Sequence, residues 1–230
     1  SKIEHDQTII KNIKKKINGL NIISNERIHD ELKKILSLGD IYKLFSNPYS
    51  KEILLNIFPS FKYSERLKVV EKLDNKIKNK FDYSLILAAL ILDNSNDYEY
   101  FCHKYKVSNI IKNKFKNISE NYENLKENKF YIEENIKKNI YLLGKNNVID
   151  LLIFSLCVKK KNKEINIEKL IIYADKCKVP KFPISGDYLK KFGYERGKIL
   201  GEKLKLLEKT WIKNNFSIDD KIVEKSLRRK

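Results

Sequence analysis

The residues best placed to do chemistry in this sequence are cations gathered around glycines near its end. From Lys181 the chain runs Lys-Phe-Pro-Ile-Ser-Gly-Asp-Tyr-Leu and continues through Lys190, Lys191, Phe192, Gly193, Tyr194, Glu195, Arg196, Gly197 and Lys198. The pattern predicts a helix, a glycine-containing turn and a second helix from about Ile199. The second helix would start with unpaired backbone N–H groups beside Arg196 and Lys198, an arrangement that suits a phosphate oxygen. Lys198, Lys205 and Lys209 recur at i, i+7 and i+11 and so share a face, opposite part of the apolar stripe. With Lys190 and Lys191 these are the candidate phosphate contacts. The alternative is an ordinary solvated helix face, with glycines serving only the turn. Gly193, Gly197 and Gly201 fall every fourth residue, matching neither G-x-G-x-x-G nor G-x-x-x-x-G-K-[ST]. No strand precedes them, so a nucleotide-phosphate cradle is excluded.

Other chemistry finds little support. His5, His29 and His103 have no metal-ligand spacing, and Cys102 beside His103 would need two further ligands that the neighbourhood does not offer. No G-x-S-x-G or H-E-x-x-H occurs. The carboxylate pairs Glu133-Glu134 and Asp219-Asp220 are sequence neighbours that diverge on a helix, so they read as solvated charge. Neither a catalytic residue nor a metal ligand is expected in this chain. Aromatic residues near lysines, as at Phe101 to Lys106 and Lys129-Phe130-Tyr131, could stack on unpaired bases, but most are expected in the core.

The elements that must position the cations follow from composition. The chain has 230 residues with 48 Lys+Arg against 30 Asp+Glu, a formal charge of +18, and 42% hydrophobic residues. It can therefore bury a core, and its surplus charge implies a polyanionic partner: nucleic acid first, an anionic membrane surface second. An AT-rich coding sequence would also enrich lysine and asparagine, but the acidic residues do not keep pace. Residues 181–230 hold 14 basic against 7 acidic side chains and four of the seven glycines. Cys102, Cys157 and Cys177 form no C-x-x-C pair, which points to a reducing compartment. The longest apolar run, Leu85 to Leu92, is far short of a membrane span. The charged residues at the start lack a signal core. A cytoplasmic location, or an organelle matrix, is expected.

Seven glycines and four prolines are too few for the turns of a β-rich fold. Apolar residues follow a helical period at Ile28, Leu32, Ile35 and Leu36, at Ile167, Leu170, Ile171 and Ala174, and at Leu200, Leu204, Leu207 and Trp211. Ser24 is placed to cap the helix that follows, although Arg27 stands where a capping-box Glu would be. Breaks are expected at Gly19 to Asn21, Gly39-Asp40, Asn47-Pro48, Phe58-Pro59, Asp93 to Asn96 and Gly144 to Asn147, with the Lys159 to Lys163 run a turn or solvated helix end. The result is an all-α chain, an irregular multi-helix bundle of about nine to eleven helices.

Two stretches resemble a known family. Ile23 to Leu32, containing Ser24, Glu26, Arg27, Ile28 and Glu31, is similar to the S-x-E-R-I-x-x-E-L neck motif of CCA-adding tRNA nucleotidyltransferases and bacterial poly(A) polymerases. Phe182 to Gly186, Gly193 to Gly201 and Trp211-Ile212 resemble the tail of one bacterial branch, and Tyr141 to Gly144 resembles the body between. The resemblance implies neck-like helices over 1–60, a helical body over 61–178 and a basic, glycine-containing tail over 179–230. It implies a grip on the tRNA acceptor arm and elbow, no cofactor in this chain and no membrane. The family's catalytic head, with its D-x-D pair, Mg and ATP or CTP, has no counterpart in these residues. A head supplied by a separate chain, or a non-catalytic scaffold derived from the family, are the other arrangements it allows. The scaffold would show an exposed apolar patch within the first forty residues.

Overall fold

The computed structural model describes residues 7–158, 165–219 and 223–224. His5, the Lys159 to Lys163 run and Asp220 lie outside the described residues. In chain order the helices are α1 (Gln7–Lys16), α2 (Asn25–Leu36), α3 (Ile41–Ser46), α4 (Pro48–Ile57), α5 (Leu67–Glu71), α6 (Asn75–Lys78), α7 (Tyr83–Ile91), α8 (Tyr98–Lys104), α9 (Asn109–Glu120), α10 (Glu133–Leu143), α11 (Lys145–Val158), α12 (Ile167–Lys176), α13 (Gly186–Lys190) and α14 (Lys198–Lys213). Short 3-10 segments occupy Ile17–Ile22, Ser64–Arg66, Asn124–Lys126 and Asn128–Tyr131, and no strand occurs among the described residues. The chain is all-α. Among the described residues the helices of seven residues or more fall within the expected nine to eleven; α3, α5, α6 and α13, with only four to six residues, are too short for an apolar period to register.

The breaks act through identifiable chemistry. Ser24 caps α2 by accepting from the Arg27 amide at 3.3 Å, and Asn47 caps α4 by accepting from the Tyr49 and Ser50 amides, with Pro48 in the first turn. Asp82 caps α7 through the Leu85 amide at 2.9 Å. Gly144, at φ +89°, turns the chain between α10 and α11. The first helix stops at Lys16, earlier than the glycine suggests. The chain then tightens into the 3-10 segment at 17–22, which buries none of its side chains.

Two helices are apolar nearly all round and are therefore interior. In α7 every residue from Ser84 to Ile91 is buried, and α11 buries Val148, Leu151 to Ser155 and Cys157. Helix α11 touches α5, α7, α9, α10 and α12, and α2 lies on α7 through Leu32 and Leu36. The apolar faces read from the sequence in α2 and α12 point into this core, which runs from Leu32 to Ala174. Burial pushes the Cys102 thiol up to about 11 and the Cys157 thiol up to about 12, so both are inert thiols.

One cation lies inside. Arg66, 9% exposed, donates from Nη1 to the carbonyls of Ala89 (3.2 Å) and Leu92 (2.7 Å), and from Nη2 to the Tyr122 hydroxyl (3.0 Å). Its guanidinium stacks 3.7 Å from the Tyr63 ring, and the Tyr63 hydroxyl donates to Asp93 at 2.7 Å. Replacing Arg66 with Met would leave buried acceptors unpaired at the end of α7. The expected loss is about 3 kcal/mol of unfolding free energy in urea titration. A loss under about 1 kcal/mol would reduce the network to decoration.

His29 on α2 faces the Tyr83 ring with its Nε2 buried and without a hydrogen-bond partner. Burial lowers its pKa, with the neighbouring Lys33 charge adding to the effect and Asp30 opposing it. The folded state then binds the proton less readily than the unfolded chain. Stability from this group is present above the unfolded value of about 6.5 and falls as pH drops below it. His29→Phe is expected to flatten the pH dependence of the thermal midpoint between pH 7 and 5; an unchanged profile would clear His29 of any part in it.

Candidate nucleic-acid interface

The tail forms as the sequence pattern requires. Ser185 caps α13 through the Tyr188 amide at 3.3 Å. The turn that follows needs its glycines: Gly193 sits at φ +82°, and Gly197 at φ +148° and ψ −168° occupies a region that side chains rarely tolerate. Tyr194 between them is buried, joining Leu189, Leu207 and Val223 in a second, small apolar cluster edged by Phe182, Ile184, Tyr188, Leu200 and Leu204. The apolar stripe of α14 therefore closes on α13. No side chain caps α14, so its first turn presents backbone amides at Gly197 and Lys198.

The candidate cations are not equivalent. Lys191, Arg196, Lys205 and Lys209 are exposed, and the Lys198 side chain is 90% exposed, with Glu202 only at 3.9 Å. On the helix Lys198, Lys205 and Lys209 fall within a narrow angular sector and span about 16 Å of axis. Lys190 differs: it is half-buried and paired with Asp187. Asp187 is held below the usual carboxylate range by that hydrogen bond first, then by the charges of Lys190 and Arg196. The acid partly compensates Lys190, leaving Lys191, Arg196 and the α14 stripe as the open positive surface.

An aromatic clasp, not visible as such in the sequence, fixes the tail to the body. Trp211, 2% exposed, meets Tyr141 of α10 edge-on at 5.4 Å, Phe182 at 5.3 Å and Phe216 at 4.9 Å. The Tyr141 hydroxyl donates to Glu208, and that bond raises its pKa to about 12. Helix α14 ends in a Schellman closure: the Phe216 amide reaches Trp211 O at 2.8 Å and the Asn215 amide reaches Ile212 O at 3.1 Å. Asn215 and Phe216 take positive φ values of 58° and 64°, and the Phe216–Trp211 contact is the apolar pair that such an ending favours. Lys138 donates to Lys213 O at 3.5 Å, and Lys137 lies 5.1 Å over the Phe216 ring. Asn214-Asn215 followed by an aromatic was the available signal.

The other candidate group lies at the opposite end of the chain. Ser24 is the α2 cap, Glu26 and Arg27 are exposed in its first turn, and Glu31 pairs with Lys34 at 2.7 Å. Glu26 lines the mouth of a cavity of about 640 Å³ formed by the 3-10 segment 17–22, the start of α2, and residues 56, 57, 59, 104 and 105. Large apolar residues are exposed nearby in sequence: Ile22 at 91%, Leu38 at 54% and Ile13 at 40%. The structure does not join these residues to the tail cations; α2 packs on α7, and α14 on α13 and α10. Among the described residues, no three His, Cys, Asp or Glu side chains cluster as metal ligands, and no helix is long and apolar enough to cross a membrane.

Comparisons with known proteins agree with the resemblance read from the neck and tail motifs. A family model described as the probable RNA and SrmB-binding site of polymerase A matches residues 4–64. Among solved structures, the Thermotoga maritima CCA-adding enzyme complexed with tRNA-CCA is similar at a TM-score of 0.58 and 18% identity, covering 96% of this chain and 55% of that one. The two share a fold, and this chain spans about half the length of that enzyme chain. No curated protein matches the chain by sequence.

With so small a cluster of its own, the tail depends on the clasp. Trp211→Ala is expected to raise amide hydrogen exchange across residues 186–213 while α7 and α11 keep their protection. Uniform loosening of both regions would show instead that body and tail fold as one cooperative unit.

Proposed function

We propose that this chain binds RNA, and that its ligand is tRNA gripped at the acceptor arm and elbow by the body and tail. The observation that carries the reading is the exposed stripe of Lys198, Lys205 and Lys209 on α14, continued by Arg196 and Lys191 at its uncapped start. Such a surface positions phosphates and carries no base readout, which suits recognition of a folded RNA by shape. The shared fold with an enzyme complexed with tRNA supports this choice, as does the RNA-binding description of the model matching residues 4–64. In this reading the chain is the neck, body and tail region of a CCA-adding tRNA nucleotidyltransferase. Transfer of nucleotides, with Mg and ATP or CTP, is assigned to a head domain beyond these residues, in the same polypeptide or a separate chain.

The second reading is a protein-docking scaffold, favoured by the exposed Ile13, Ile22 and Leu38. Binding of tRNA, of a minihelix without the elbow and of single-stranded RNA across a salt series separates the two. A tRNA grip gives tight, salt-steep binding with preference for the intact molecule. Weak and equal binding of all three would favour the scaffold. Arg196→Ala with Lys198→Ala is expected to weaken tRNA binding about fivefold and to lower the salt slope by about 1–2. If neither quantity moves, the tail is not the site.

A further inference from the structure

The 3-10 segment Ile17–Ile22 contributes no side chain to the core, yet it walls the 640 Å³ cavity at the start of α2. Of the four carboxamides that line that cavity, three come from this segment and the start of α2: Asn18, Asn21 and Asn25. None of them makes a side-chain hydrogen bond among the described residues, unlike Asn56 on the facing wall, which donates to Glu52 O at 2.8 Å. Each carboxamide carries two donor hydrogens and one acceptor oxygen, the complement of a nucleobase edge. The apolar wall includes Ile23 and Ile57, and Lys104 supplies a cation at the rim. The space is of the size that takes one nucleoside, with apolar side chains to meet a base face and polar groups to meet its edge. A solvated asparagine-rich loop would scatter such groups. In this loop they converge on one concavity.

We infer that this cavity receives an unpaired base of the bound RNA, read along its edge by Asn18, Asn21 and Asn25. The inference rests on the RNA-binding reading, and it gives the chain a second kind of contact: the tail holds phosphates, the cavity holds a base. The test uses the full chain and three ten-nucleotide RNAs of equal charge: oligo(A), oligo(U) and an abasic ribose-phosphate decamer. Wild type is expected to bind at least one base-bearing decamer about fivefold more tightly than the abasic one. Asn18→Ala, Asn21→Ala and Asn25→Ala combined should erase that preference while leaving abasic binding unchanged. These side chains are exposed and unpaired, so the variant should keep the wild-type melting temperature. Arg196→Ala with Lys198→Ala should weaken all three decamers alike and keep the preference. A wild type that does not distinguish base-bearing from abasic RNA overturns the inference, as does a triple variant that keeps the preference. Salt-steep but base-blind binding would leave the RNA reading standing and remove the cavity; failure of every decamer to bind would also remove the cavity, whereas the tRNA grip itself falls only if intact tRNA does not bind.

Discussion

The body depends on how α7 is allowed to end inside the protein. A helix leaves its last carbonyls without intrahelical partners, and a buried end without donors is costly. Here the donors come from the 3-10 turn at 64–66: the Arg66 guanidinium takes the carbonyls of Ala89 and Leu92, and the Tyr63 amide takes Leu90 O at 3.1 Å. No carboxylate faces Arg66 among its hydrogen-bond partners, so its charge is balanced by the negative end of the α7 dipole and by the Tyr63 ring. Tyr122, which receives the third bond, lies against Phe154 of α11. One side chain thereby ties the first third of the chain to the central helix pair. Ser119 extends the same logic, donating to Asp93 O and Ser95 O in the loop that leaves α7. A further link, Lys114, lies 3.3 Å from both Asp82 and Asp150, joining α9 to the start of α7 and to α11. Asp150 titrates high because it is buried, in spite of Lys114, whereas Asp82, also raised by burial, is brought below its usual value by hydrogen bonds from Ser84 and the Leu85 amide.

The tail inherits its geometry from that body. Its own apolar cluster has only four fully buried members among the described residues, too small to define a rigid unit. What orients α14 is the Tyr141 edge of α10, and α10 in turn is set on α11 by the turn at Gly144. Three cations on a freely moving helix would meet phosphates at no fixed spacing. Seated against α10, they present a row about 16 Å long at a defined place on the body. The aromatic clasp thus determines whether the positive charge acts as a shaped surface or as a diffuse polycation.

Much of this was legible in the residues. The all-helical class followed from the scarcity of glycine and proline, and the stripes in α2, α12 and α14 bury the faces their spacing indicates. The Ser24 cap, the turn at Gly144 and the glycine turn before α14 were each written in short local signals. Arg66 was not: a lone arginine in Tyr-Ser-Glu-Arg-Leu looks like any surface cation, and its partners lie 23 to 56 residues away. The compensation of Lys190 by Asp187 is an i, i+3 pairing that the sequence does contain, but one of many in a chain this charged. The cavity asparagines were hidden by abundance, since asparagine is common throughout and only the fold brings Asn18, Asn21 and Asn25 to one concavity.

The distribution of charge explains why a surplus of +18 need not mean indiscriminate stickiness. Several lysines are spent in local exposed pairs, such as Lys34 with Glu31, Lys43 with Asp40 and Lys126 with Glu123. Pairs of that kind add little stability, but they flatten the field around them. Lys191, Lys205 and Lys209 have no such partner among the described residues, so they stay open to a polyanion at the tail. Counterions released there would drive association with any polyanion, and affinity of this origin is blind to sequence. Discrimination then has to come from elsewhere: from the fixed distance between tail and body, which favours one RNA shape, and from groups able to read a base edge. In the proposed arrangement, separating the grip from the reading would let each be tuned without weakening the other, because phosphate contacts would stay in solvent while base contacts require a walled cavity.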